Sequence, residues 1–468
     1  MVTSGRLPKG LALLRAKVAS SILRVLRIEG SSMIKITKFG GSSVSSAGQF
    51  KKVKAIVQAD PSRRFVVVSA AGKRDKFDSK ITDLLYLVNA HLQYHVTCDD
   101  LLGTIGQRFC EIAKELNLSY PISHEFGIFR ELAKRGEYTP EYIVSRGEYF
   151  TGRMMAEYLG FPFVDAADVI TFRADSSIDM DKTSEKLKAA IGEEKCFVLP
   201  GFYGATEDGK IKLLDRGGGD ITGAIVAQCL GADLYENWTD VSGFLTADPR
   251  IVDNPKSISR ITYAELRELS YMGASVLHEE AIFPVKDAGI PLVIKNTNAP
   301  DDPGTVISEE TEPGVAEPLI TGIAGKKDFV AIHVKTNHMS SKVGYIRKTL
   351  SIFERYRVSI EHIPTGIDSF AVVVQGSDVK DCLYSIVADI KSELEPDEIK
   401  IVDRLALIST VGRNMPSRPG TSGRLFGELG HAGINIRMIA QGSEELDIVV
   451  GVDVDDFERA IRVIYGAF

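Results

Sequence analysis

The chain has 468 residues, 44% of them hydrophobic and 25% charged, a globular composition that excludes a disordered or fibrous polypeptide and gives room for about three domains. A formal net charge of −7 provides no general attraction to nucleic acid or to an anionic membrane, and no apolar run approaches the roughly 18 residues of a membrane-crossing helix. The five cysteines, Cys98, Cys110, Cys196, Cys229 and Cys382, are scattered without the paired spacing of a zinc or redox site, which fits a reducing compartment.

Residues 1–32 carry Arg6, Lys9, Arg15, Lys17, Arg24 and Arg27 against one acid, Glu29. They read as an upstream extension, because Met33 stands directly before the first convincing strand; an organellar transit peptide or an amphipathic surface helix is the other reading. From Met33 to about Pro318, short apolar runs alternate with longer helical ones. Strands are expected at 34–38, 64–70, 196–202, 232–239 and 290–297, and helices at "SKITDLLYLVNAHL" and "YFTGRMMAEYLG". Such interleaving predicts a largely parallel sheet covered on both faces, with ligands at the carboxyl ends of its strands. Glycine-rich or polar turns fall at those ends: "GGSS" after the first strand, "SAAGKRD" after the second and "GFYGATEDG" after the run at 196–202.

The first of these turns, in "KITKFGGSSV", suits a phosphate. Gly40 and Gly41 let backbone N–H groups approach an anion, and Lys38 supplies a positive charge. Neither G-x-x-x-x-G-K-[ST] nor a helix-opening G-x-G-x-x-G occurs, so a bound nucleotide would need another cradle. A second cluster, "LLDRGGGDITGAIVA", sets Gly217, Gly218 and Gly219 before a helical run, offering backbone donors and the positive end of a helix dipole. Beside it, Arg216 can hold a carboxylate bidentately and Asp220 can cap the helix or sit by a metal. A plain strand-to-helix turn is the alternative.

The stretches "APDDPGT" (299–305) and "EETEPGVAEP" (309–318) read as a domain boundary. Beyond it lies an internal repeat: a shift of 76 positions superposes 328–374 on 404–450 without a gap, aligning Met339 with Met415, Gly344 with Gly420, Ile360 with Ile436 and Gly366 with Gly442. Each copy reads strand, loop, helix, strand, strand, helix, a small α+β unit expected to pair with its twin or with a second subunit.

In this order, "KFGGSSV", "SRGEYFTGRMMAEYL", "GFYG", "DRGGGD", "WTDVSGFLTADPR" and the paired repeats resemble the aspartokinases over residues 33–468. The resemblance implies a three-layer αβα sandwich of the amino-acid-kinase type (33–318), followed by two ferredoxin-like ACT domains (319–398 and 399–468). It implies that Lys38 reaches the transferring phosphoryl group while Gly40, Gly41, Ser42 and the glycines 217–219 bind phosphate. Thr82, Glu148, Phe202 and Arg216 would contact aspartate, with Glu148 on its ammonium and Arg216 on a carboxylate. Thr239, Asp240, Arg250 and Lys256 match the nucleotide side, and Asp220 the junction of the two ligands. Gly219, Asp215, Leu245 and Ser242 stand where relatives commonly have serine, glycine, tyrosine and aspartate.

The implied reaction moves the γ-phosphoryl of ATP, carried with Mg2+, to the β-carboxylate of L-aspartate, the first step toward lysine, threonine and methionine. In the first repeat, Met339, Tyr345, Ile346, Ser359, Ile360, Glu361 and Thr365 match effector-contacting positions of lysine-sensitive relatives, so feedback by lysine is preferred over threonine. A cytoplasmic homodimer, or a larger assembly joined through the ACT domains, is expected. Two alternatives stand: a kinase for a glutamate-type acceptor, and a catalytically idle amino-acid sensor.

Overall fold

The computed structural model describes residues 33–192, 195–215, 217–274, 277, 283–309 and 318–468. The leader, 1–32, and Arg216 lie outside them. In the first part of the chain the strands are β1 (Lys35–Phe39), β2 (Phe65–Val68), β3 (Thr171–Phe172), β4 (Phe197–Pro200), β5 (Tyr203–Thr206), β6 (Ile211–Leu213), β7 (Leu234–Thr239), β8 (Arg260–Thr262), β9 (Leu292–Asn296) and β10 (Thr305–Ser308). Seven of these form one sheet in the order β4-β2-β1-β7-β9-β10-β8. The run from β4 to β9 is parallel throughout, and only β10 reverses against β9. Strands β3, β5 and β6 make a small satellite sheet.

The hydrophobic runs explain this arrangement. β2 is Phe-Val-Val-Val with every residue buried, the pattern of a strand covered on both faces. Its alternate side chains enter opposite cores: Val66 and Val68 join Phe39, Phe50, Phe109, Phe150 and Trp238, whereas Phe65 and Val67 join Ile36, Ile225, Tyr235 and Leu292. The helix Pro140–Leu159 is delimited by its own residues. Thr139 caps it by accepting from the Tyr142 N–H, Pro140 opens it, and Gly160 closes it in the left-handed conformation.

Because β1 lies between β2 and β7, the chain leaves its carboxyl end toward one side and returns from the other, which opens a crevice at that end of the sheet. Glu236, on β7, anchors the sheet from within. Its carboxylate accepts from Arg63 at 2.8 and 3.2 Å and from the Trp238 indole at 2.9 Å while only 3% exposed.

The segment 299–305, expected as part of the domain boundary, instead turns the chain within the first domain, since Thr305 pairs antiparallel with Ile294. Residues 310–317 lie outside the described part. Beyond them, β11 (Gly322–Lys335), β12 (Ser369–Gln375), β13 (Glu398–Val411), β14 (Met438–Ala440) and β15 (Asp447–Asp453) form one antiparallel sheet in the order β12-β11-β13-β15-β14.

The repeat is visible in the backbone. Asp328 and Arg404 both take left-handed conformations, 3-10 turns occupy Met339–Ser341 and Met415–Ser417, and helices follow at Tyr345–Arg355 and Thr421–His431. The second copy forms β14 where the first has only isolated bridges at His362 and Thr365, beside Pro364, which has no N–H to give a ladder.

The expected division between residues 398 and 399 falls at the start of β13, whose pairing crosses between the two copies. Gly322–Lys326 pairs with the Leu407–Val411 end of β13, and Ala331–Lys335 with its Glu398–Val402 end. Each copy therefore completes its sheet with a strand segment that the linear repeat assigns to the other.

Candidate active site

The crevice at the carboxyl ends of β1, β2, β4 and β7 holds a cavity of about 540 Å³. Into it open Lys38, Gly40, Gly41, Ser42, Thr82, Glu148, Phe202, Gly217, Gly218, Gly219, Asp220, Thr239 and Asp240. These residues come from stretches up to two hundred positions apart. What joins them is the sheet.

The turn after β1 is pinned on several sides. The Gly40 N–H donates to the Trp238 carbonyl at 2.9 Å, the Ser43 N–H to the Gly40 carbonyl at 2.9 Å, and the Gly72 N–H to the Gly41 carbonyl at 2.8 Å. A Cβ on Gly72 would sit 2.5 Å from the Gly41 carbonyl carbon, so only glycine permits this approach. Lys38 is buried, and its ammonium pairs with Asp220, whose carboxylate also accepts from the Asn237 amide at 2.9 Å. The helix Gly218–Leu230 starts at Gly217, in the left-handed conformation, and directs its amino end toward the same space. Positive potential from Lys38 and from that helix end therefore converges on one wall.

The acceptor-side candidates border the same cavity. Thr82 is the second residue of the helix Ile81–Gln93. Phe202 takes a left-handed backbone (φ 75°), unusual for an aromatic residue, and is held there by its N–H to the Thr222 hydroxyl at 3.0 Å and by its carbonyl to the Leu214 N–H at 2.8 Å. Glu148 projects from the helix Pro140–Leu159 and is only 4% exposed, yet among the described residues its Oε2 has no hydrogen-bond partner. Burial pushes its pKa up to about 8, against the opposing influence of the Ala70 N–H and of the Arg146 and Lys38 charges. A buried carboxyl oxygen left without a partner at a cavity wall is the arrangement expected for a cationic ligand group.

Two predicted nucleotide-side residues are not brought here. Arg250 is largely exposed, tied to Asp248 in its own turn at 2.6 Å, and lines a second cavity of about 1010 Å³ that shares only Asp240 with the first. Lys256 borders neither cavity, and its backbone N–H donates to the Tyr465 hydroxyl of the last helix at 3.1 Å. Conversely, Ser69, Ala70, Gly72, Lys73 and Lys80 line the first cavity without having been singled out as candidates. The available signal was the "SAAGKRD" turn, already placed at a strand's carboxyl end.

In the first repeat, Met339 and Tyr345 are buried in its core, with the Tyr345 hydroxyl donating to the Leu394 carbonyl at 3.3 Å. Ile346, Ile360 and Glu361 are half-buried, and Ser359 and Thr365 are exposed. Glu361 accepts a hydrogen bond of 2.6 Å from Tyr271, on the first domain's helix Tyr263–Tyr271.

The sequence pattern of the amino acid kinase family matches residues 33–296, and that of an ACT domain matches 408–468. Aspartokinase 3 of Bacillus subtilis is 35% identical over 449 residues, covering 93% of this chain and 98% of that protein. The aspartate kinase of Clostridium acetobutylicum superposes with a TM-score of 0.87 at 48% identity, covering 93% of this chain and all of its own. E. coli aspartokinase III, in complex with aspartate and ADP, superposes with a TM-score of 0.71 at 25% identity over 93% of this chain and 99% of its own. The same enzyme in complex with lysine and aspartate gives a TM-score of 0.72. With the kinase fold, the ACT-type module and near full-length likeness all in agreement, this chain belongs to the aspartokinase family.

Proposed function

We propose that the chain transfers the γ-phosphoryl group of ATP to the β-carboxylate of L-aspartate, giving 4-phospho-L-aspartate and ADP at the head of lysine, threonine and methionine synthesis. The observation that carries this reading is the unpartnered, buried carboxyl oxygen of Glu148 in the same cavity as Lys38 and two glycine turns. An amino acid with an ammonium and a reactive anion satisfies both ends of that cavity. The ligands named for the E. coli relative, aspartate and ADP, agree with it.

An aspartate side chain, with an ordinary pKa near about 3.9, is already ionised at neutral pH and needs no general base. Its oxygen attacks the γ-phosphorus as the bond to the ADP oxygen breaks, and the work of the site is to bring two anions together in line. Lys38 and the N–H groups of Gly41, Ser42 and Gly217–Gly219 hold the phosphates, while Gly40, whose N–H is taken by the Trp238 carbonyl, shapes the turn. Asp220, paired with Lys38, keeps that ammonium pointed at the transfer path. Glu148 takes the aspartate ammonium, Thr82 and Phe202 border the acceptor, and Arg216, outside the described residues, takes a carboxylate. Asp240 and Ser42 line this wall and could offer oxygen ligands to a Mg2+ carried by the nucleotide, which would neutralise phosphate charge there. Thr239 and the 1010 Å³ cavity beyond Asp240, bordered by Leu245 and Arg250, accommodate the rest of the nucleotide.

Purified protein given MgATP and aspartate should release ADP and form an acyl phosphate that hydroxylamine traps, with glutamate and N-acetylglutamate as comparison acceptors. Turnover with glutamate alone, or none at all, would reject this assignment in favour of the glutamate-type kinase or the idle sensor.

For regulation, we read the repeat pair as a lysine-responsive module that also joins subunits in a cytoplasmic homodimer. Lysine in one E. coli complex supports this choice, and Glu361 offers a carboxylate to its ε-ammonium. Inhibition by threonine and not lysine would reverse it.

A further inference from the structure

The loop between β2 and the helix Ile81–Gln93 reads "GKRDKFDSK" over residues 72–80 and forms one rim of the 540 Å³ cavity. Its two ends are tied by a single side chain. Arg108, on the helix Asp99–Glu115 and only 2% exposed, donates from Nη2 to the Gly72 carbonyl at 2.5 Å and from Nη1 to the Ser79 carbonyl at 2.6 Å. A planar guanidinium can bridge two carbonyls in this way; an ammonium, a point donor on a flexible stem, cannot hold both in fixed relation.

The residue after each clamped carbonyl is a lysine, Lys73 and Lys80, and both line the cavity. The loop's own acids are engaged elsewhere: Asp78 with Arg74 at 2.9 Å and Arg108 at 3.4 Å, and Asp75 with the Phe77 N–H at 2.8 Å. Lys76 turns to the Phe77 ring, 4.9 Å away. Among the described residues, Lys73 and Lys80 have neither an ion pair nor a hydrogen bond through their ammonium groups, whereas Lys38 is already matched by Asp220. The uncompensated side-chain cations of this cavity's described wall are therefore these two.

Position separates their roles. Gly72 packs against Gly41 and the Ser42 nitrogen, so Lys73 follows directly on the phosphate turn. Lys80 stands immediately before the helix whose second residue is Thr82, on the acceptor side. We propose that Lys73 contacts the terminal phosphates of the nucleotide, that Lys80 contacts the α-carboxylate of the acceptor, and that Arg108 is the positioning residue that sets both. This rests on the kinase reading above.

The test combines steady-state kinetics with calorimetric binding of aspartate and of a non-hydrolysable ATP analogue. Lys80→Met should raise the KM and Kd for aspartate about tenfold, with nucleotide constants within about twofold. Lys73→Met should weaken the nucleotide analogue about tenfold and lower kcat, leaving aspartate affinity unchanged. Arginine at either position should restore at least half of the loss, because the charge returns. Arg108→Met should reproduce both defects together in protein whose circular dichroism remains that of the folded chain, and Arg108→Lys should not rescue them.

Wild-type constants in Lys73→Met and Lys80→Met would overturn the proposal, and the lysine variants decide it even if Arg108 variants fold poorly. Absence of turnover in the parent protein would count against the kinase reading. The two affinities would still decide on the lysines.

Discussion

Replacing Glu148 by glutamine keeps the shape of the side chain and removes its ability to ionise. In the folded protein without ligand, burial raises the Glu148 pKa from 4.5 to about 8. At about 1.36 kcal/mol per pH unit, keeping the charge inside costs on the order of 5 kcal/mol once the pH exceeds the raised value. The sign follows from proton linkage. The unfolded chain releases this proton near 4.5 and the folded one near 8, so the contribution of Glu148 to stability is complete below about 4.5 and is lost as pH rises through about 8.

Glutamine does not titrate, so the thermal midpoint of Glu148→Gln should gain on wild type between pH 5 and pH 9 when no ligand is present. Aspartate should reverse the order, since its ammonium supplies the partner that Oε2 lacks and favours the ionised form. Aspartate binding near pH 7 should then release close to one proton, readable from calorimetry in buffers of different ionisation enthalpy, and the variant should release none. A wild-type-to-variant difference flat in pH, or proton uptake on binding, would refute this account of Glu148.

Other consequences are sharper in single assays. Lys38→Ala should lower kcat at least about 100-fold, about 2.7 kcal/mol, with a smaller change in the KM for aspartate, because its ammonium acts on the transferring group; an unchanged kcat removes that role. Glu236→Ala should destabilise the first domain by about 2–4 kcal/mol in denaturant titrations, since it leaves the Trp238 indole N–H without its partner and the half-buried Arg63 with only the Ile56 carbonyl. Tyr271→Phe removes the direct hydrogen bond from the kinase domain to Glu361 and should shift the lysine concentration for half-inhibition about fivefold, about 1 kcal/mol of coupling, while kcat without lysine stays within about twofold. An unmoved lysine response would show that the signal crosses between domains elsewhere.

Local chemistry alone carried much of this protein. The all-apolar run at β2, the glycine turns after β1 and before Asp220, and the 76-residue repeat are each legible in the sequence. They depend on neighbouring residues or on periodicity, and these fix strands, helix ends and turns without reference to distant chain. The glycine clusters also marked Lys38 and Asp220 as residue types suited to an anion site, whereas Glu148 was marked only by the family resemblance.

Which residues share a cavity was decided only by sheet order. Placing β1 between β2 and β7 brings Lys73 and Lys80 to the crevice and leaves Arg250 and Lys256 outside it. The raised pKa of Glu148 likewise arises from desolvation by helices far away in sequence. The exchange of strand segments between the two repeats depends on the pairing of β11 with β13, a long-range hydrogen-bond register that no linear comparison of the copies contains. Period and propensity act within a few residues, whereas charge burial, clamp geometry and strand partners are properties of packed neighbours, and those exist only once the chain has folded.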